Sequence, residues 1–204
     1  MEDKRVVHIV DDEDAIRRSA GFMLKKSGFT VTPWVSGVEF LKHVKNAEQG
    51  CILLDVRMPE MDGLEVQQQL SERGVSMPVV VLTGHGDVSI AVRAMKAGAV
   101  DFIEKPFEKA VLLTAIESAF ERLADTEGRA SRAADAAVLI AGLSAREQDV
   151  LKGLAQGLPN KTIAYDLGIS PRTVEVHRAN LMTKLGVCSL SESLWIAFSA
   201  GVTG

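Results

Sequence analysis

Residues 51–64 read Cys51-Ile-Leu-Leu-Asp55-Val-Arg-Met-Pro59-Glu-Met-Asp-Gly63-Leu64. Four residues suited to a buried strand run straight into a carboxylate, and the loop behind it holds a proline and an Asp-Gly turn pair. This predicts a strand that presents Asp55 at its carboxyl end, then a turn, then a helix from about residue 64. In open α/β sheets, chemistry collects just outside the carboxyl ends of parallel strands. An isolated Asp in such a place is usually no more than a loop cap. Two further segments change that balance. Val6-Val-His-Ile-Val10 is a second strand running into Asp11-Asp12, and Asp101-Phe-Ile-Glu104 is a third, followed by Lys105-Pro106. Three carboxylates and a lysine at strand ends describe a site for Mg²⁺ and a phosphoryl group.

Working outward, short apolar runs alternate with amphipathic ones up to about residue 124. Strands are predicted at 6–10, 29–32, 52–55, 79–82 and 102–104, and helices near 14–27, 37–46, 64–73 and 88–97, with another from about 108. Strict alternation of this kind predicts a doubly wound five-stranded parallel sheet, an α/β fold. Ala91, Val92, Met95 and Ala99 recur at helical spacing, and Gly98 stands where that helix should stop.

The chain then loses its bulky apolar residues. Residues 125–140 are rich in Ala and charge, which predicts a helical, semi-rigid linker with Gly128 as its weak point. The remainder, 141–204, reads as a small all-helical domain. Ser144-Ala-Arg-Glu147 is a capping box, Gly157-Leu-Pro159 ends the helix that follows, and Asn160 should cap the next. Gly168-Ile-Ser170 makes a turn. Pro171 opens a helix to about Leu185 that should bury Val174, Leu181 and Leu185. Ser189-Leu-Ser-Glu192 is expected to form a second capping box.

The division is visible in the charge. Residues 1–124 hold 15 basic against 19 acidic side chains, 125–142 hold 2 against 3, and 143–204 hold 6 against 5, for a net −4 in 204 residues. A generic nucleic-acid-coating protein is therefore excluded, and an acidic front domain precedes a slightly basic rear one. Cys51 and Cys188 lie far apart without metal-ligand spacing, so neither a disulfide framework nor a zinc site is expected. No run reaches membrane-spanning length, and the expected location is the cytoplasm.

Helix, glycine turn, helix is also the helix-turn-helix arrangement, whose second helix enters the major groove. The outward face of 171–185 offers Arg172, Thr173, Glu175, Val176, Arg178, Ala179 and Lys184. Arg, Lys and Thr suit phosphate oxygens, Glu can accept from cytosine N4, and Val or Ala can touch a thymine methyl. By itself such a face would be read as ordinary solvated helix.

Two sets of motifs give the face its context. Val10-Asp11-Asp12-Glu13, Asp55-Val-Arg-Met-Pro59 with Asp62-Gly63, Thr83-Gly84, and Lys105-Pro106 after Asp101-Phe102 together resemble the receiver domain of two-component response regulators. Leu143-Ser-Ala-Arg-Glu147, Asn160-Lys-Thr-Ile-Ala164 and Ser170-Pro-Arg-Thr-Val-Glu-Val-His177 through Lys184-Leu-Gly186 resemble the LuxR-type DNA-binding domain. The order of the two is that of the NarL/FixJ subfamily, and its nitrogen-fixation regulators look most similar. The resemblance implies Asp55 as phosphoryl acceptor. It implies Mg²⁺ held by Asp12, Asp55 and the backbone carbonyl of Arg57, with Asp11 acting through water. Lys105 and Thr83 would contact the phosphoryl group, Phe102 would turn inward in response, and the bond before Pro106 would be cis. Arg57 and His85, two residues past Asp55 and Thr83, occupy positions that tune phosphoryl lifetime in the family. Lys161 and His177 join the DNA-binding set. Leu190-Ser-Glu-Ser-Leu-Trp195 lacks a basic residue often found in that helix.

The resulting expectation is a transcriptional activator, not an enzyme, phosphorylated by a sensor histidine kinase. It would dimerise and bind operator DNA, with RNA polymerase as a further partner. A dimer face is expected on the helix at 88–97 and the strand at 102–104, with Val92, Lys96 and Asp101 facing a second copy. Two alternatives stay open at this level. A Mg²⁺-dependent phosphohydrolase would use Asp55 as nucleophile, but such enzymes usually carry a second acid two residues on, where this chain has Arg57. A scaffold that no longer takes phosphate is the other, against which the intact acids, Thr83 and Lys105 argue.

Overall fold

The computed structural model describes residues 5–84, 88–124 and 129–202, apart from the side chains of 88 and 129–134; His85 and Gly128 fall outside these. The chain divides into two compact units, one of residues 1–86 with 97–126 and one of residues 87–96 with 127–204.

The first unit is built on five parallel strands: β1 Val6–Val10, β2 Thr30–Trp34, β3 Gly50–Asp55, β4 Val79–Thr83 and β5 Asp101–Glu104, in the order β2-β1-β3-β4-β5. β1, β3 and β4 are buried throughout, as strands covered on both faces must be. Side chains alternate between the faces. Val7, Ile9, Cys51, Leu53, Val80 and Leu82 join a cluster with Leu24 of helix α1 (Asp14–Lys26) and with Leu112 and Ile116 of the helix at 109–124. Each such fully buried side chain contributes roughly 1.5–3 kcal/mol. Helices α2 (Gly37–His43, continued by a 3-10 turn to Asn46) and α3 (Gly63–Glu72) pack on one another. Gly37 and Gly63 permit close approaches: a Cβ at Gly37 would lie 2.2 Å from Val66 Cγ2, and one at Gly63 would lie 2.2 Å from the backbone oxygen of Asp55.

The expected strand ended at Thr32, yet β2 continues through Pro33 to Trp34. β2 is the sheet's edge, and an edge strand tolerates a residue without an N–H. Trp34 completes an aromatic cluster around buried His8. The His8 Nε2–H donates to the Glu48 carbonyl at 2.8 Å, while Nδ1 accepts from Trp34 Nε1 at 3.3 Å, and Phe40 lies 5.6 Å away by ring centroids. At the opposite end of β1, the Arg5 guanidinium sits 4.7 and 4.5 Å from the Phe29 and Phe120 ring centres and pairs with Glu117.

The second unit holds α4 (Val88–Lys96), α6 (Arg129–Ala141), α7 (Ala145–Ala155), α8 (Asn160–Leu167), α9 (Pro171–Leu185) and α10 (Leu190–Ser199); α5 (Lys109–Ala124) belongs to the first. Helix α6 occupies most of the predicted linker. Ser144 forms its capping box with Glu147, Ser170 caps α9 with Pro171 at the first position, and Gly168 and Gly186 end their helices at φ 64° and 70°. Two capping expectations need correction. Pro159, not Asn160, is the N-cap of α8, and Asn160 instead accepts from Arg178 of α9. At α10, Ser189 caps the Glu192 amide, but the Glu192 carboxylate reaches one residue further back, to the Cys188 amide. No described helix is long and apolar enough to cross a membrane.

Candidate functional site

The carboxyl edge of the sheet gathers the predicted acids because β1 and β3 are neighbours in register, Val10 opposite Leu54. The residues that follow each strand therefore emerge side by side, at the switch point where ligands bind in such sheets. Asp11 and Asp55 are buried and Asp12 is exposed; one carboxylate oxygen from each lies within 4.8 Å of the others. From beyond β5, the Lys105 Nζ reaches Asp11 Oδ2 at 2.8 Å, Asp55 Oδ1 at 2.9 Å and Glu13 Oε1 at 3.4 Å. The Lys105–Pro106 bond is cis. The backbone N–H of Lys105 donates to the Thr83 carbonyl at 2.8 Å, which ties the end of β5 to β4.

Burial pushes the Asp55 carboxyl above its usual range, against the pull of Lys105 and with help from Asp11 and Asp12. Burial acts the other way on Lys105, but its hydrogen bonds to Asp11 and Asp55 outweigh it and hold the ammonium above its usual value. The lysine is thus a fixed cation serving several carboxylates. An all-oxygen donor set this close, with one member open to solvent, suits a hard cation that keeps several waters, as Mg²⁺ does. Asp11 is the least available of the three: Oδ1 accepts from the Glu13 amide at 2.8 Å, Oδ2 from Lys105, and its carbonyl from Arg17 at 2.7 Å.

The loop after Asp55 is held by a capping box that the sequence reading passed over. Asp62 accepts from the Glu65 amide, and the Glu65 carboxylate accepts from the Asp62 amide, both at 2.8 Å. Arg57 stands exposed in that loop, Thr83 is buried at the end of β4, and Phe102 is half-buried on β5. Arg17 is a member of the site that sequence reasoning missed, and Glu13, quoted only within its motif, was given no role there. Their proximity to Asp11-Asp12 along the chain was the available signal.

In the second unit α9 buries Val174, Leu181 and Leu185 as expected and leaves Arg172, Glu175, Val176 and Ala179 exposed, with Thr173 and His177 half-buried. Lys161 of α8 is exposed. Two of the predicted DNA-contacting cations are occupied elsewhere. Arg178 donates to Asn160 Oδ1 at 3.0 Å, and Lys184 pairs at 2.7 Å with the buried Glu147 of α7. The Lys184 contact and the Ser144 amide pull the Glu147 carboxyl down to about 2. The three residues of the expected dimer face fall in both units. Val92 is only 2% exposed, because α4 packs within the second unit, where a Cβ at Gly157 would lie 3.6 Å from that of Val92. The Lys96 ammonium lies over the Phe198 ring at 5.8 Å, while Asp101 belongs to the first unit and accepts from the Phe102 amide.

Comparison with known proteins agrees with both halves. Residues 7–117 match the response regulator receiver domain, and 141–197 match the luxR family of bacterial regulatory proteins. The transcriptional regulatory protein FixJ of Azorhizobium caulinodans is 50% identical over 99% of this chain and 96% of its own length. That of Rhizobium meliloti is 49% identical over 96% of each. The crystal structure of full-length FixJ from B. japonicum has 44% identity and a TM-score of 0.59, covering 98% of this chain and 99% of its own. With its acid site on a five-stranded parallel sheet and a helix-turn-helix later in the sequence, the chain belongs to the FixJ-like two-component response regulators with a LuxR-type DNA-binding domain.

Proposed function

We propose that Asp55 accepts a phosphoryl group from a sensor histidine kinase and that this switches the protein to a dimer that binds operator DNA and activates transcription. The observation that carries the reading is the Lys105 ammonium, held 2.9 Å from Asp55 and 2.8 Å from Asp11 at the open edge of the sheet. In the transfer, an Asp55 carboxylate oxygen forms the new P–O bond while the P–N bond of the kinase's phosphohistidine breaks. The bonding pair leaves with the imidazole nitrogen. Asp12, Asp55 and the Arg57 carbonyl would hold Mg²⁺, with Asp11 behind it through water, and the ion would neutralise charge between the carboxylate and the incoming oxygens. Lys105 pairs with a phosphoryl oxygen as a point charge, and the Thr83 hydroxyl donates to another. Phe102 then follows Thr83 inward.

Dimerisation through Val92, Lys96 and Asp101 requires that Val92 first become exposed. A dimer strengthens operator binding by making the second contact intramolecular. RNA polymerase is the downstream partner, nitrogen-fixation genes are the proposed targets in view of the FixJ relatives, and the cytoplasm is the proposed location. Turnover of simple phosphomonoesters is not expected. The test is incorporation of acid-labile phosphate from a small phosphodonor with Mg²⁺, read on the intact protein. Asp55→Asn or a chelator should abolish it, and phosphate on any other residue of the wild-type chain defeats the assignment.

A further inference from the structure

We propose that Asn180 of α9 is a sequence-reading residue that recognises an adenine edge in the major groove; the inference rests on α9 being the DNA-contacting helix. Positions 172, 176, 179, 180 and 183 fall within an arc of about 100° at the helical repeat. This arc lies opposite the buried Val174, Leu181 and Leu185, and all five of its residues are exposed.

The polar groups of this stripe are unequally free. Arg172, 85% exposed, is paired with Glu175 at 3.1 Å. The Thr183 hydroxyl donates to the Ala179 carbonyl at 3.0 Å and is spent within the helix. Arg178 and Lys184 lie off the arc and are tied to α8 and α7. Val176 and Ala179 are apolar. Asn180 alone presents an amide that enters no hydrogen bond among the described residues.

That amide carries a donor and an acceptor in one plane, the complement of adenine N7 and N6. Its neighbours at four and one residues before it, Val176 and Ala179, suit the thymine methyl groups that accompany adenines in the same groove. The chemistry of the patch is therefore that of an A·T-containing step. Glu175 stands at its margin, already engaged by Arg172.

The experiment is selection of binding sites from randomised duplex DNA by the full-length protein, in the presence of Mg²⁺ and a small phosphodonor. The wild-type chain should return a motif with a fixed adenine. Asn180→Ala should lose the preference at that one position, with discrimination falling by about tenfold or more. The other positions and the salt dependence should be retained, since no phosphate contact is removed. Asn180→Gln, which keeps the same pair of groups, should restore part of the preference. Trp195 fluorescence, from within the second unit, reports whether each variant is folded. An unchanged motif with Asn180→Ala overturns the proposal. An equal loss on every sequence by a folded variant also does so, by making Asn180 a backbone contact. If the wild-type chain selects no motif, the DNA-reading role of α9 itself falls and the proposal with it.

Discussion

In the first unit one lysine serves three carboxylates, Asp11, Asp55 and Glu13, and two of those carboxylates are almost wholly out of solvent. On α9 of the second unit the charges stand outward, and the cations have been apportioned singly: Arg172 to its own helix, Arg178 to α8, Lys184 to α7. Like charges crowded together with little water are costly unless something compensates them. In the acid cluster the compensation is one lysine, with room for a cation, so the site is poised to accept a further group. On α9 each of these three cations already has its anion or amide, and two of the ties hold α9 to neighbouring helices.

The largest effect that should break this comparison is in the first unit. Gly63→Ala forces a Cβ against the Asp55 backbone, where little can give. A loss of about 3 kcal/mol is expected, the upper end for overpacking, together with loss of phosphate acceptance. The two tryptophans fall one in each unit, Trp34 and Trp195, so single-tryptophan variants can follow urea unfolding separately. Only the Trp34 transition should move. An equal shift in the Trp195 transition would show that the units share one stability.

A smaller effect tests the second unit. If Lys184 is a tie to Glu147, Lys184→Ala should lower the Trp195 midpoint while the slope of DNA affinity against salt stays as in the wild type. A slope reduced by about one ion with no change in midpoint would return Lys184 to the phosphate contacts.

The smallest effect is in pH and should sharpen the contrast. Burial lowers the His8 pKa from its ordinary 6.5, so the unfolded chain binds a proton there before the folded one. The His8 contribution is present above pH 6.5 and is lost as pH falls below it, at a slope of at most about 1.4 kcal/mol per pH unit. Glu147, depressed from 4.5 to about 2, contributes above pH 4.5 and loses that contribution as pH falls through about 2. On acidification the His8 contribution to the Trp34 transition should be lost first, opposed in the same unit by the buried Asp55 carboxyl, and the Glu147 contribution to the Trp195 transition only below about pH 4.5. His8→Gln should flatten the first response near pH 6, and the same slope in that variant would assign it to another group.

What the amino-acid sequence determined by itself was whatever depends on neighbours in the chain. The Val6–Val10 and Cys51–Leu54 runs dictate buried strands, and Asp11, Asp12 and Asp55 then share an edge because parallel strands end on the same side. Ser144 with Glu147, and Ser170 with Pro171, declare helix starts because capping partners lie within one turn. Tertiary structure decided the rest. Pro33 could remain in a strand only because β2 became the edge. Asn160 left its capping role for Arg178, eighteen residues away, and Lys184 found Glu147 at a separation of thirty-seven. Val92, a plain member of an amphipathic helix, was covered by the unit in which α4 packs. The physical reason is common to all four. A hydrogen bond, an ion pair or a buried methyl is made with whatever the fold brings near, and periodicity along one helix or strand carries no information about what stands across from it.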